Sequence, residues 1–218
     1  MTIAAPCYDR TVTLGYHQSM MQTLVACTQA KIAVSTDYKP GPYIHRNRNW
    51  LAHRFLQTES DALMFIDTDV RWPAEAVVRL YDSDLPLCGG CYRLKQDREE
   101  YPIKLGTEHD GAWRTALYLP GGFLLIRRHV FEKMRDHVPS YPEEHANGET
   151  VHAYFQNVIY AAQGEAGEDV EFCTRWRALG GKVWCLTDID FSHQGPREWE
   201  GNLSRFLPPV YEVADSVA

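Results

Sequence analysis

The sequence lacks any apolar run near the roughly 18 residues needed to cross a bilayer, so no membrane span is expected. It lacks a surplus of positive charge: 22 Lys and Arg against 29 Asp and Glu leave a net charge of −7. That balance excludes a protein that holds nucleic acid chiefly through a broad basic face. Met1–Pro6 carries neither a basic n-region nor an apolar h-region, so no signal peptide is expected and the cytoplasm is the expected location. The six cysteines are dispersed among apolar neighbours. Only Cys88-Gly89-Gly90-Cys91 has zinc-knuckle spacing, and no second pair follows it, so reduced core thiols are expected rather than a zinc site. There is no internal repeat and no low-complexity tract.

What is present is an ordinary globular composition, 44% hydrophobic and 23% charged, over 218 residues, a length that suits one well-packed domain. Short apolar strands alternate with helical spacing through the first 90 residues. Strands are predicted at Thr2–Ala5, Lys31–Ser35 and Ala62–Ile66, and helices at Thr13–Thr28, Tyr43–Gln57 and from Trp72-Pro73 onward. This alternation predicts an α/β fold with a mostly parallel sheet wrapped by helices. In such sheets ligands bind beyond the carboxyl ends of the strands. The second half is less regular. Hairpin strands are expected over Tyr101–Leu119 about Asp110-Gly111, then a strand at Phe123–Ile126 and a helix over 128–135. A mobile loop is expected at Ser140–Gly148 and a strand at Val151–Ile159. Gly167–Leu179 reads as a helix stopped by Gly180-Gly181, and Lys182–Leu186 as a strand.

Two acidic motifs stand out. The apolar run Ala62–Ile66 ends abruptly in Asp67-Thr68-Asp69. Two carboxylates two residues apart in an extended chain point to one side and repel unless a cation joins them. A hard divalent ion meets that need; the alternative is one helix-capping Asp and one facing water. The second motif is Glu168-Asp169 at a helix start, where simple compensation of the macrodipole is the competing reading.

The order of motifs resembles the GT-A-type nucleotide-sugar glycosyltransferases, and among them the large inverting family with its bacterial and phage relatives. The residues that carry the resemblance are the helix over Arg46–Trp50, Asp67-Thr68-Asp69, Leu119-Pro120-Gly121-Gly122 before a strand, Glu168-Asp169 at a helix head, and His193-Gln194-Gly195. The resemblance implies a GT-A-type Rossmann-like domain over 1–205, with a nucleotide-binding half to residue 90, a small β-hairpin region, and a tail at 206–218. It implies Mn²⁺ or Mg²⁺ held by Asp69 with Asp67 and His193, and a nucleotide diphosphate sugar, a UDP-sugar favoured, as donor. Asp169 matches the general base, and Glu168 a residue that orients it or binds the acceptor. Pro6, Tyr8, Asp37, Arg46, Asn49, Asp67, Thr68, Gly121 and Gly122 match the nucleotide-sugar pocket.

The acceptor is expected to be a glycan or polysaccharide precursor or, second, a hydroxylated base in phage DNA. For DNA the candidate contacts are Arg46, Arg48, Arg54, Arg93, Lys95 and Arg98. Trp72, Trp113, Trp176, Tyr101, Tyr118, Tyr154 and Phe155 are candidate acceptor-stacking rings, with the core as the competing place for them. Two alternatives compete. A nucleotidyltransferase wants a Gly-rich loop after the first strand, where this chain has Pro6-Cys7-Tyr8-Asp9-Arg10. A non-catalytic carbohydrate-binding protein of the same fold has no need of intact Asp67, Asp69, Glu168 and Asp169.

Overall fold

Every side chain of Ala62–Ile66 is fully buried. Such a run stabilises a strand only if both sheet faces are covered. In the computed structural model, which describes residues 1–143, 148–161 and 164–208, this strand lies inside an eight-stranded sheet. Leu63 and Phe65 enter one core, with Leu51 and Phe55 of one helix and Phe131 and Phe172 of two others. Ala62, Met64 and Ile66 enter the opposite core, with Tyr16, Met20, Val77 and Leu80.

In chain order the first half contains β1 (Thr2–Cys7), α1 (Leu14–Gln29), β2 (Ser35–Pro40), α2 (Ile44–Leu56), β3 (Ala62–Ile66), β4 (Val70–Arg71), α3 (Ala74–Asp82) and β5 (Leu87–Gly89). The next stretch contains β6 (Lys104–Asp110), β7 (Trp113–Tyr118), β8 (Phe123–Arg127), α4 (Arg128–Met134), β9 (Ser140–Pro142), β10 (Thr150–His152), β11 (Val158–Tyr160) and β12 (Gly164–Ala166). The chain continues through α5 (Glu168–Ala178), β13 (Val183–Leu186), β14 (Phe191–Gln194), β15 (Glu198–Gly201) and α6 (Leu203–Phe206).

The main sheet has the order β2-β1-β3-β8-β5-β13-β7-β6. The pairings of β1 with β2 and β3, and of β13 with β5, are parallel. Only β8 and β7 run against the rest, so the sheet is mostly parallel in strand direction. A small sheet, β15-β14-β4, leans over the carboxyl end of β3. Its pairing of His193 with Val70 brings the histidine next to the Asp67-Thr68-Asp69 turn.

Several elements depart from the sequence expectation. The second strand is Ser35–Pro40, not Lys31–Ser35. Lys31 closes α1 in the left-handed region at φ 61°, and Ile32 donates back to Cys27, so that stretch completes the helix cap. The real strand is polar because it is an edge, where Pro40 costs no ladder bond. Val151–Ile159 is not one strand but two short ones, β10 and β11, in separate hairpins. The loop expected at Ser140–Gly148 begins instead with β9; its residues 144–147 lie outside the described residues, as do 209–218 of the expected tail. The expected hairpin about Asp110-Gly111 is present, with Gly111 at φ 56°. All six cysteines are free and buried in the cores. Burial pushes the Cys88 thiol up to about 12. Among the described residues no helix is long and apolar enough to cross a membrane.

Candidate active site

The site is built around a buried cation that the motifs do not advertise. Arg48 lies on the inner face of α2 and is 1% exposed. Its Nη2 donates to Asp67 Oδ1 at 2.9 Å, its Nη1 to the Gly121 carbonyl at 2.9 Å, and its Nε to Glu168 Oε1 at 3.3 Å. Its guanidinium also lies 5.2 Å from the centroid of the Phe65 ring. One side chain thus joins the strand-end aspartate, the glycine turn and the head of α5. Burial works against its charge, but Asp67 and Glu168 outweigh that and hold it protonated. A signal for it exists in the sequence: Arg48, Leu51, Ala52 and Phe55 share the i, i+3, i+4, i+7 stripe that faces the core.

Asp67 is held at both carboxylate oxygens and at its backbone N–H. Its N–H donates to Gly122 O at 3.0 Å, and Tyr92 Oη donates to its Oδ2 at 3.3 Å. Gly122 has to be glycine because a Cβ there would strike Asp67 Oδ2 and the Tyr92 hydroxyl. At Gly121 the Arg48 guanidinium would stand 2.9 Å from such a Cβ. The two glycines therefore make room for the protein's own charged side chains. The Thr68 carbonyl accepts from Thr13 N–H at 2.9 Å and Thr13 Oγ1 at 3.1 Å, which anchors the turn to the N-cap of α1.

Asp69 has a separate set of partners. Lys95 Nζ meets its Oδ2 at 2.5 Å, and His193 Nε2 stands 3.6 Å from the same oxygen. Burial would raise this carboxyl, but His193 and Lys95 outweigh it and hold Asp69 at about 2. His193 Nδ1 lies 3.0 Å from the Arg93 carbonyl. A carbonyl only accepts, so Nδ1 carries a proton, and Nε2 is the ring nitrogen turned toward Asp69.

At the head of α5, Asp169 accepts from Gly121 N–H at 3.1 Å and from Val170 N–H at 2.7 Å. Burial and then the charge of Glu168 raise its carboxyl above the ordinary value, against the pull of Arg48 and these two N–H groups. Glu168, Asp169 and Glu171 all lie in the first turn, where the macrodipole favours negative charge.

The other expected pocket residues are more scattered. Pro6 is buried near the end of β1, and Tyr8 just beyond it is 76% exposed. Asp37 on β2 pairs with Arg54 at 3.2 Å, and burial raises its carboxyl despite that partner. Arg46 pairs with Glu143 at 3.2 Å. Asn49 is buried, and both ends of its amide bond the backbone of Phe155, at 2.8 and 2.9 Å.

Among the DNA-contact candidates, Arg48 is buried, Arg46 and Arg54 are paired, and Lys95 sits on Asp69. Arg93 is held by the carbonyls of Gln96 and Asp97. Of the candidate stacking rings, Trp72, Trp176, Tyr101, Tyr154 and Phe155 are core.

Among the described residues no group of three or more His, Cys, Asp or Glu side chains is arranged to hold a metal ion. The donor chemistry nonetheless fits one at Asp69. An ionised carboxylate and an imidazole nitrogen share one edge, and the Lys95 ammonium already marks where positive charge is held there. Ions of this class take their remaining ligands from substrate phosphates and water.

No protein-family profile matches the chain, and no curated protein matches it in sequence. Solved structures do. The crystal structure of A197 from STIV matches with a TM-score of 0.55 at 18% identity, covering 94% of this chain and 90% of that one. A mutant of the Drosophila beta-1,4-galactosyltransferase 7, crystallised with manganese, UDP-Gal and xylobiose, matches with a TM-score of 0.50 at 18% identity, covering 89% of this chain and 71% of that one. At such identity the likeness is one of architecture: the chain has the GT-A-like fold of the nucleotide-sugar glycosyltransferases that its motif order resembles.

Proposed function

We propose that the chain is a metal-assisted, inverting glycosyltransferase. It would move a sugar from a nucleotide diphosphate sugar, a UDP-sugar favoured, to a hydroxyl of a saccharide acceptor. The observation that carries the reading is the Arg48 bridge, which ties Asp67, Gly121 and Glu168 into one cluster. Two acidic motifs about a hundred residues apart therefore serve one site.

Within that site the roles divide by environment. Asp69 and His193 are assigned to the divalent cation, Mn²⁺ suiting the mixed donor set and Mg²⁺ the alternative. When bound, the ion neutralises charge on the leaving diphosphate. Asp67, already engaged by Arg48 and Tyr92, positions the turn. Asp169 is the base: it takes the proton of the acceptor hydroxyl, whose oxygen attacks the anomeric carbon on the face opposite the diphosphate. A raised carboxyl is better matched to that task than an ordinary one. Burial and then the charge of Glu168 keep it raised. Pro6 near the end of β1, Tyr8 just beyond it and Asp37 within β2 are assigned to the nucleobase end of the donor.

A saccharide acceptor is favoured over DNA because the basic candidates other than Arg98 are spent on internal partners, and the galactosyltransferase of similar fold was crystallised with xylobiose. The test is release of UDP from UDP-sugars in the presence of Mn²⁺ and short oligosaccharides. Asp169→Asn should abolish release while UDP binding persists. Undiminished release in Asp169→Asn would refute the base assignment.

A further inference from the structure

Lys95 is not one of the motif residues, yet it makes the shortest contact that Asp69 has, 2.5 Å from Nζ to Oδ2. The position is built rather than incidental. The carbonyl of Leu94 accepts from Gln96 N–H at 2.9 Å, and Leu94 N–H reaches Glu100 O at 2.8 Å, so the segment around Lys95 is closed on itself. The Lys95 stem runs past Gly195, where an added Cβ would stand 3.3 Å from its Cδ. The same segment supplies the Arg93 carbonyl that orients His193. One loop therefore sets both the imidazole and the ammonium that address one carboxylate oxygen.

We infer that Lys95 is an exchangeable cation: it holds the place of the divalent ion on Asp69 and passes to the donor's diphosphate when that ion binds. The inference rests on the metal assignment proposed above. The charge argument is simple. A divalent ion and a lysine ammonium cannot both sit on one aspartate oxygen, because they repel and compete for the same lone pairs. Once displaced, the ammonium is left beside a metal ion without an anion of its own. A diphosphate supplies that anion, and lysine is a flexible point charge suited to following it. The exchange makes metal and donor bind cooperatively. Each favours the state in which Lys95 has left Asp69, so each strengthens the other equally.

The test is titration of Mn²⁺, followed by loss of the free-ion electron paramagnetic resonance signal, with and without UDP. It compares the natural sequence with Lys95→Met, Lys95→Arg and Asp69→Ala. Removing the competing cation should tighten Mn²⁺ binding without UDP by about fivefold in Lys95→Met, the scale of a partly exposed ion pair. The strengthening of Mn²⁺ binding by UDP should shrink in Lys95→Met by a similar factor, and Lys95→Arg should restore part of it. Equal Mn²⁺ affinity in the natural protein and Lys95→Met, with binding lost in Asp69→Ala, would overturn the exchange while leaving the metal site standing. Absence of Mn²⁺ binding in all four proteins, with UDP present, would overturn the metal assignment itself and the exchange with it.

Discussion

Replacing Arg48 with methionine is the perturbation on which the account makes its largest demand. The change keeps an aliphatic stem against Phe65 but removes a guanidinium that is 1% exposed and bonded to two carboxylates and a carbonyl. Asp67 and Glu168, with side chains 23% and 12% exposed, are then left facing each other without their cation. Breaking a buried ion pair from one side costs about 3–5 kcal/mol. The freed Gly121 carbonyl adds about 1 kcal/mol if water does not reach it. A loss of about 4 kcal/mol lowers the melting temperature of a chain this size by roughly 10 °C. Urea denaturation at pH 7 measures the loss. Arg48→Lys keeps the charge but not the fork, and should lose about half as much. A deficit in Arg48→Met below about 1 kcal/mol would refute the idea that Arg48 carries the electrostatics of the site.

Three further outcomes follow from the geometry. Burial and then Glu168 raise Asp169, so Glu168→Gln should lower that carboxyl; because the proposed base works only when ionised, the acidic limb of kcat/KM should move to lower pH, and a limb that stays or moves up refutes the coupling. Asp69 is held at about 2 from 3.8, so its stabilisation is present above pH 4 and is lost as pH falls through about 2. For a side chain a third exposed, solvent screening leaves about 1 kcal/mol of the roughly 2 kcal/mol the shift implies; Asp69→Asn should cost that at pH 7 and progressively less below pH 4 by urea denaturation. Gly122→Ala would push its Cβ into Asp67 and Tyr92, and should lower stability by about 1–3 kcal/mol; an alanine that melts with the natural protein contradicts the packing described.

The sequence made some parts legible and not others, for physical reasons. Ala62–Ile66 was readable because burial on both faces leaves no choice but an apolar run, and the carboxylates that end it mark the sheet edge. The helix Glu168–Ala178 was readable from its acidic first turn and its glycine stop. The strand Ser35–Pro40 was not, because an edge strand is polar on its open side and carries no apolar signature. In the sequence Arg48 reads as one more residue of the motif helix and as a candidate DNA contact, not as the hub of the site. Its partners are 19, 73 and 120 residues away, and no local pattern can point to them. Its place on the apolar stripe of α2 was the one available hint. Lys95 and Tyr92 follow a three-residue strand in a loop without periodicity, so their approach to Asp69 and Asp67 emerges only from the fold.

Calorimetric titration of UDP, with and without Mn²⁺, on the natural sequence and on Asp69→Ala tests the central claim most directly. GDP and CDP serve as competitors for the nucleobase choice. The account predicts UDP binding that requires Mn²⁺ and is lost in a folded Asp69→Ala. A folded natural protein that binds none of the three diphosphates with Mn²⁺ present, or that binds them equally well with Asp69 removed, would contradict it.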